Sequence, residues 1–177
     1  MIAFRIAKLH LCYHLFEMNI YIVRHAIAED QPRSGTGDHL RQLSEEGKKK
    51  MKEAADGFAR MKLEIDAIFC SPLIRAKQTA EIVAKALKKE TEEMVELSPG
   101  HSPEDVCRKL RGFKKSESVM LVGHEPNCSD LAAYFLGDIA VEFKKGAICL
   151  IESDDLLKHR GTLIWHLSPA VLRLMAG

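Results

Sequence analysis

Three apolar segments of this chain end in the same way, and this recurrence constrains the fold more than any other feature. Each is a short run of large apolar residues, followed by a tight break, with arginine or histidine at the break or just after it. The segments are IYIVRHA (20–26), IDAIFCSPLIRA (65–76) and SVMLVGHEP (118–126). Because short apolar runs bounded by turn residues are typical of buried strands, we predict that all three begin as strands of one sheet.

Amphipathic helices are predicted between these strands. Ser44 is a suitable N-cap for a helix that extends to about residue 61, with two glutamates in the first turn, where carboxylates favour the positive end of the helix dipole. Ser71-Pro72 predicts a second helix, with proline at its first position, that ends near Lys88. Further predicted helices span residues 103–112 and 127–136, and further strands span 94–97, 147–152 and 162–167.

This order of elements predicts an α/β protein. Strands that alternate with helices indicate a three-layer α/β/α arrangement, with a mostly parallel central sheet flanked by helices. In such folds ligands bind beyond the carboxyl ends of the strands. His25, Arg75 and His124 all follow predicted strand ends, so we expect one edge of the sheet to bring them together.

The composition is that of an ordinary globular chain without a general affinity for polyanions. The formal net charge is only +1, so neither a nucleic-acid nor a membrane partner is predicted. No apolar run approaches the ~20 residues that a membrane-spanning helix needs. The five cysteines are scattered without a CxxC pair, which favours reduced thiols and a cytoplasmic location.

The first segment of the chain, MIAFRIAKLHLCYHLFE, is apolar and mildly basic but lacks the features of a signal peptide. Polar residues interrupt its apolar run, and no clear small-residue cleavage site follows. Met18, just before the first predicted strand, is itself a candidate initiator. We therefore predict a single domain over residues 18–177, with residues 1–17 as an optional N-terminal extension.

The residues at the strand ends suit phosphate. Arginine stays protonated, and its planar fork can donate to two phosphate oxygens at once. Arg24, Arg41 and Arg75 could together neutralise most of a phosphoryl dianion without magnesium. Since no carboxylate cluster accompanies these residues, neither a metal site nor a cofactor is predicted.

His25 is the candidate nucleophile of this site. A free imidazole has a pKa of ~6.5, and neighbouring guanidinium groups lower it further, because they disfavour the cationic ring. A neutral ring nitrogen can attack phosphorus and form a covalent phosphohistidine that water then hydrolyses. His124 is expected to donate a hydrogen bond to the phosphoryl oxygens in the transition state.

Four motifs resemble those of the histidine phosphatase superfamily, also called phosphoglycerate mutase-like. They are IVRHA (22–26), RQLSEEG (41–47), CSPLIRAKQTAE (70–81) and LVGHEP (121–126). Within that superfamily the chain looks most like the short SixA-type phosphohistidine phosphatases. The resemblance extends over nearly all of residues 18–177. It implies a phosphoglycerate mutase-like fold and a phosphate pocket formed by Arg24, His25, Arg75 and His124, with Arg41 as a further phosphate ligand.

The chain departs from the superfamily pattern at two points. Ala26 stands where the usual motif has glycine, which is tolerable if the backbone there is ordinary. No motif identifies the general acid that many relatives use to protonate a departing alcohol. Glu96 is the candidate by its position in the order of the chain. A missing acid would suit a phosphohistidine substrate, because a protonated imidazole leaves readily, whereas an alkoxide does not.

The resemblance implies a phosphohistidine-containing protein as substrate, either a histidine phosphotransfer domain or a phosphocarrier. A small-molecule phosphomonoesterase and a non-catalytic phosphoprotein-binding module remain as alternatives, and the oligomeric state stays open. A cysteine phosphatase loop has the form Cys-x5-Arg, whereas Cys70 and Arg75 are separated by only four residues. Among the other polar residues, Ser71 and Asn127 are predicted to be helix caps, and Gln78 and Thr79 to support the site from behind.

Overall fold

Six strands form one sheet, and five α-helices cover it, in a computed structural model that describes residues 18–30, 37–113, 118–153, 156 and 161–177. The strands are β1 (Met18–Arg24), β2 (Ala67–Cys70), β3 (Glu92–Glu93), β4 (Ser118–Gly123), β5 (Ile148–Ser153) and β6 (Gly161–Leu167). The helices are α1 (Glu45–Arg60), α2 (Ile74–Leu87), α3 (Pro103–Leu110), α4 (Asn127–Leu136) and α5 (Pro169–Met175). Two short 3₁₀ helices span Asp38–Leu40 and Val95–Leu97.

The sheet has a parallel half and an antiparallel half. Its strand order is β3-β2-β4-β1-β5-β6, in which β3, β2, β4 and β1 run parallel, while β5 is antiparallel to both β1 and β6. Arg24 at the end of β1 lies opposite Gly123 at the end of β4. Cys70 at the end of β2 lies opposite Val122. The carboxyl ends of β1, β2 and β4 therefore share one edge, which confirms the predicted α/β architecture.

The central strands have both faces buried, which explains why they read as continuous apolar runs and not as alternating ones. Within β1, Ile20 and Ile22 belong to one hydrophobic core, together with residues of α3 and α4. Tyr21 and Val23 belong to a second core on the opposite face, together with residues of α1, α2 and α5. Successive side chains of a strand point to opposite faces, so β1 contributes to the hydrophobic cores on both faces of the sheet.

Helix α1 begins where the sequence predicts. The side chain of Ser44 accepts a hydrogen bond from the backbone N–H of Gly47 at 3.0 Å. Close packing explains both glycines of this helix: a Cβ atom at Gly47 would lie 1.9 Å from the carbonyl oxygen of Ile27. A Cβ atom at Gly57 would lie 1.9 Å from the carbonyl oxygen of Leu172 in α5. The small residues let α1 lie directly against the backbone of two other segments.

Two predicted elements differ in the structure, and one predicted segment lies outside it. Helix α2 begins at Ile74, so Pro72 is not its first residue. Residues 95–97 form a 3₁₀ helix where a strand was predicted, and the short strand β3 precedes it. Residues 1–17 lie outside the described residues, so the predicted N-terminal extension stays a prediction. None of the described helices is both long and apolar enough to cross a membrane.

Candidate active site

The parallel strands bring two histidines together at their carboxyl ends. The backbone N–H of His25 donates to the carbonyl oxygen of Gly123 at 2.9 Å, which extends the pairing of β1 and β4 by one residue. His124 follows Gly123 directly, and the centroids of the two imidazole rings are 5.1 Å apart. The sequence prediction that these strand ends meet is therefore confirmed.

Hydrogen bonds fix the orientation of the His25 ring. Its Nδ1 lies 2.7 Å from the carbonyl oxygen of Ala26, and its Nε2 lies 3.3 Å from Nε of Arg75. A carbonyl oxygen can only accept and the guanidinium N–H can only donate, so the ring proton is on Nδ1, and Nε2 carries the lone pair. Thr79 holds this arrangement from behind, because its Oγ1 accepts from the N–H of Ala26 at 3.0 Å and donates to the carbonyl of Arg75 at 2.7 Å.

The surroundings of the two histidines keep both rings neutral. Burial is the largest cause that lowers the pKa of His25 to about 4; nearby guanidinium groups act in the same direction, and the hydrogen bond to Ala26 opposes them. Burial also lowers the pKa of His124 to about 3, with further contributions from His25 and Arg75. At neutral pH both side chains are therefore uncharged, and Nε2 of His25 is unprotonated.

The hydroxyl of Ser71 is the partner of His124. Ser71 Oγ lies 2.9 Å from Nε2 of His124 and accepts from the backbone N–H of Leu73 at 3.3 Å. Among the described residues, Nδ1 of His124 is buried and has no hydrogen-bond partner. If the Ser71 hydroxyl donates to Nε2, the ring proton is on Nδ1, which is then a buried donor available to a ligand. Ser71 is thus not the helix cap that the sequence suggested, because α2 begins only at Ile74.

Arg75 is the central cation of the site, and its side chain connects His25 to Asp38. While Nε donates to His25, Nη1 donates to the backbone carbonyl of Asp38 at 2.8 Å and Nη2 to its carboxylate at 3.0 Å. The same carboxylate pairs with Nη2 of Arg41 at 3.2 Å. Sequence reasoning missed Asp38, which lies in a short 3₁₀ turn without a recognisable motif.

Arg24 directly precedes His25 in the sequence. Its Nη1 donates to the carbonyl oxygen of Phe143 at 2.5 Å, in the segment that precedes β5. Nε of Arg24 and Nε of Arg41 are buried without a partner among the described residues, so both guanidinium groups retain a donor for a ligand. Together with Arg75, they are the three cations that lower the pKa of His25.

Three other residues that the sequence singled out lie around this cluster. Ala26 has an ordinary backbone conformation, as its replacement of glycine requires. Gln78 Oε1 accepts from the backbone N–H of Leu43 at 2.7 Å, which supports the loop behind the site as predicted. Asn127 does not cap α4; its side chain donates to the carbonyls of Ser98 and His101 instead. The helix cap at this position is Pro126, without a side-chain hydrogen bond.

Glu96 and Cys70 are the two remaining residues that the sequence considered for catalysis, and the structure gives them different surroundings. Glu96 lies in the 3₁₀ turn after β3 and lines a small cavity with Asn127 and Cys128. Its Oε2 is buried without a hydrogen-bond partner among the described residues. Burial raises the pKa of the Cys70 thiol to about 11, so this cysteine is not an activated nucleophile. No group of three or more potential metal ligands occurs in the described part of the chain.

Comparison with known proteins gives matches along most of the chain. Residues 20–102 match the model of the histidine phosphatase superfamily, branch 1. The chain is 28% identical to the phosphohistidine phosphatase SixA of Escherichia coli over 162 residues, which cover 89% of this chain and 98% of SixA. It is 33% identical to an uncharacterized protein of Picosynechococcus over 118 residues, which cover 65% of this chain and 71% of that protein.

The fold agrees with the sequence match. A solved structure of the protein histidine phosphatase SixA in complex with tungstate superimposes with a TM-score of 0.78 and 28% identity, covering 88% of this chain and 99% of that one. The matched residues 20–102 include Arg24, His25, Arg41 and Arg75, whereas His124 follows them in the sequence. The chain therefore belongs to the histidine phosphatase superfamily and is a phosphatase of the SixA type.

Proposed function

We propose that this phosphatase removes phosphoryl groups from phosphohistidine on a signalling or phosphocarrier protein, through a covalent intermediate on His25. The observation that carries the proposal is the state of His25. Its Nδ1 carries the ring proton and donates it to a carbonyl oxygen, and the lone pair of its Nε2 faces Arg75. A neutral imidazole fixed in this orientation is a nucleophile, because its reacting nitrogen needs no base to deprotonate it.

In the first step Nε2 of His25 attacks phosphorus, and the bond between phosphorus and the substrate nitrogen breaks. The electron pair of that bond goes to the substrate imidazole, which leaves as a neutral ring if its other nitrogen is already protonated. His25 then carries the phosphoryl group on Nε2 and the proton on Nδ1, so its ring is positive. The carbonyl oxygen of Ala26, 2.7 Å from Nδ1, stabilises that charge.

In the second step water attacks the phosphorus, and Nε2 leaves with the electron pair of the P–N bond. The water proton passes to a phosphate oxygen or to solvent, and His25 returns to its neutral state. The same Ala26 carbonyl keeps the ring proton on Nδ1 throughout. The protein thereby uses one fixed tautomer for both steps, and the leaving nitrogen needs no further proton.

The remaining residues stabilise the charge on the phosphoryl group. Arg24, Arg41 and Arg75 supply three positive charges that act on His25, and each charge-assisted hydrogen bond to phosphate contributes roughly 1.5–3 kcal/mol. If the Ser71 hydroxyl donates to Nε2 of His124, Nδ1 of that ring is a further buried donor, on a ring whose centroid lies 5.1 Å from that of His25. This donor set suits phosphoryl transfer without a metal ion, in which positioning and electrostatic stabilisation account for most of the catalysis.

Burial of the cluster favours a substrate that presents its phosphoryl group from outside. His25 is 5% exposed, Arg75 4% and His124 1%, so only a small group reaches them. A phosphohistidine side chain on a protein surface has this form. SixA is a phosphohistidine phosphatase by name, and we extend that substrate class to this chain, with a histidine phosphotransfer domain or a phosphocarrier as partner and the cytoplasm as location.

The test is phosphate release from a chemically phosphorylated histidine-containing protein in excess EDTA, with p-nitrophenyl phosphate measured alongside. Release that is fast, depends on His25 and greatly exceeds ester hydrolysis would support the proposal. Hydrolysis of the ester alone would indicate a small-molecule phosphomonoesterase with an unassigned general acid, and Glu96 would be the first residue to replace. Binding of the phosphoprotein without turnover of either substrate would indicate a binding module.

A further inference from the structure

Asp38 is a carboxylate among the cations of a phosphate site, and the mechanism above gives it no role. It begins the 3₁₀ turn Asp38–Leu40, directly after Gly37, whose φ of 88° places it in the left-handed region. Its Oδ2 lies 3.0 Å from Nη2 of Arg75, and its Oδ1 lies 3.2 Å from Nη2 of Arg41. One carboxylate therefore pairs with two of the three guanidinium groups assigned to phosphate.

The backbone and the side chain of Asp38 act on Arg75 separately. The backbone carbonyl accepts from Nη1 of Arg75 at 2.8 Å, independently of the carboxylate contact to Nη2. Arg75 is 4% exposed, so the carbonyl and the contact to His25 hold a guanidinium group that has little room to move. The carboxylate differs, because the side chain of Asp38 is 37% exposed and can turn towards solvent.

A phosphoryl group and this carboxylate compete for the same donors. Phosphate oxygens that bind Arg75 and Arg41 either displace the Asp38 side chain from both Nη2 atoms or lie beside it. In the first case the ion pairs to both arginines are lost, and in the second two negative groups lie within a few ångströms of each other. Either way Asp38 lowers the affinity of the site for anions, by Coulomb repulsion or by competition.

We propose, on the basis of the function proposed above, that Asp38 promotes product release by keeping the site from retaining inorganic phosphate. The three arginines are suited to an anion whose phosphorus then bonds to His25. Free phosphate, the product of the second step, has the same charged oxygens but forms no such bond. The Asp38 carboxylate returns to Arg41 and Arg75 as phosphate departs and so favours product release.

The test removes the charge of the Asp38 side chain and keeps the size of that side chain and the backbone carbonyl. In Asp38→Asn the carbonyl contact to Arg75 remains, and the amide oxygen can still accept from one guanidinium group, but the negative charge is gone. Isothermal titration calorimetry with inorganic phosphate on the full-length chain, at low ionic strength, gives the dissociation constant. We expect it to fall by about tenfold in Asp38→Asn relative to the unmodified protein.

Glu53→Gln is the matched control. Glu53 in α1 pairs with Nε of Arg173 in α5 at 3.8 Å, so this variant also removes one carboxylate that faces an arginine, but between two helices. Its dissociation constant for phosphate should change less than twofold. If the dissociation constant fell equally in both variants, the effect would be due to net charge alone, and the proposal would be overturned. An unchanged or weaker affinity in Asp38→Asn would also overturn it, and would leave Asp38 as a residue that only positions Arg75.

A kinetic readout separates this inference from the proposed function. Under the proposal, Asp38→Asn lowers the inhibition constant of inorganic phosphate by the same factor as the dissociation constant, while the reactivity of His25 is retained. If phosphate binds as expected in both proteins but phosphohistidine is not hydrolysed, the proposed substrate fails and the inference about Asp38 stands. If neither protein binds phosphate, the anion site itself is wrong, and the inference fails with it.

Discussion

The parallel and antiparallel halves of the sheet contribute to the candidate site in different ways. The parallel strands β1, β2 and β4 are followed directly by His25, Ser71 and His124, so each contributes a side chain. The antiparallel half contributes backbone. Before β5 the carbonyl of Phe143 accepts from Arg24, and the N–H of Gly146 donates to the carbonyl oxygens of Arg24 and His25.

Strand direction explains this difference. Parallel neighbours have all their carboxyl ends at one edge, where the chain turns into a helix and short loops carry side chains inward. Strand β5 is antiparallel to β1, with Ile148 opposite Val23, so the amino end of β5 lies at that edge. The segment that approaches β5 therefore passes along the site and holds β1 in position. The parallel half provides the side chains of the candidate site, and the antiparallel half supports them.

The largest expected effect is a difference between two histidines, one in each half. His25→Ala removes the proposed nucleophile and should lower kcat/KM for a phosphohistidine protein by at least about 1000-fold. His166 in β6 is the matched control; burial lowers its pKa as well, and its ring packs edge-on against Phe143 with centroids 5.0 Å apart. We expect His166→Ala to retain activity within about threefold, since its ring only packs against a neighbour.

The measurement is a steady-state assay of phosphate release, with circular dichroism to confirm that each variant is folded. Mass spectrometry at alkaline pH, after rapid mixing with substrate, should find a phosphoryl group on His25 of the unmodified chain and none in His25→Ala. A phosphorylated residue elsewhere, or two variants of equal activity, would contradict the division of roles between the halves.

A smaller effect is expected from replacing arginine by lysine in each half of the molecule. Arg75 donates through Nε, Nη1 and Nη2 at once, which a single ammonium group cannot reproduce. Arg75→Lys should lower kcat/KM by roughly 10–100-fold, since one or two charge-assisted hydrogen bonds are lost. Arg173→Lys in α5 keeps a charge opposite Glu53 and should have little effect.

The kinetic constants show which step Arg75 serves. If the guanidinium group stabilises the transition state, kcat falls together with kcat/KM, whereas a role in binding alone raises KM at constant kcat. Equal activities of Arg75→Lys and the unmodified chain would contradict the central position assigned to this residue.

The sequence predicted the parallel half of the site well, because its information is local. Arg24, His25 and His124 stand next to the ends of apolar runs, and the pairing of parallel strands then determines that they meet. Both the strands and the breaks after them are visible in short windows of sequence. The same reasoning identified α1, whose Ser44 cap is marked in the sequence.

Features that depend on distant contacts could not be predicted in this way. Asp38 reaches Arg75 across 37 positions of sequence and stands in no motif. Ser71 has the position of a helix cap, but its hydroxyl is held by His124, and Leu73 keeps an extended backbone, so α2 begins later. The 3₁₀ turn at 95–97 follows the buried Met94 and ends at the buried Leu97. In so short a segment, the number of apolar residues does not distinguish a turn from a strand.

Ser71→Ala is expected to lower the activity roughly tenfold. This variant tests the contribution of β2 to the site. Without the hydroxyl, Nε2 of His124 loses the partner at 2.9 Å that favours a proton on Nδ1. The ring can then carry its proton on either nitrogen, and the donor towards phosphate is only partly populated. Nitrogen-15 NMR of the imidazole rings should show Nδ1–H for His124 in the unmodified chain and a mixture of tautomers in the variant.

Ser98→Ala is the control for this experiment. Its hydroxyl lies 3.4 Å from that of Ser71 and does not provide the 2.9 Å contact to His124. The tautomer of His124 and the activity should both be retained. A spectrum with the proton on Nε2 of His124 in the unmodified chain would show that Ser71 accepts and does not donate, and the role of Nδ1 in phosphate binding would be wrong.

The smallest expected change is in the titration of the two histidines. Burial lowers the pKa of His25 to about 4 and that of His124 to about 3, whereas a histidine in an unfolded chain titrates near ~6.5. Their ring signals in NMR should therefore stay constant as the pH falls from 8 to 5.5. Midpoints near 6.5 for both rings would contradict a neutral, buried pair.

The same shifts predict how stability depends on pH. Between about pH 6.5 and 4 the unfolded chain binds protons at these two positions, and the folded chain does not. The two histidines should therefore make their full contribution to the free energy of unfolding above pH 6.5. This contribution should decrease as the pH falls towards 4. Urea unfolding at pH 7 and pH 5 measures this loss, and His124→Gln should make it smaller, because one of the two titrating groups is gone. A loss of equal size in the variant would assign the pH dependence to other residues and leave the histidine pair without an effect on stability.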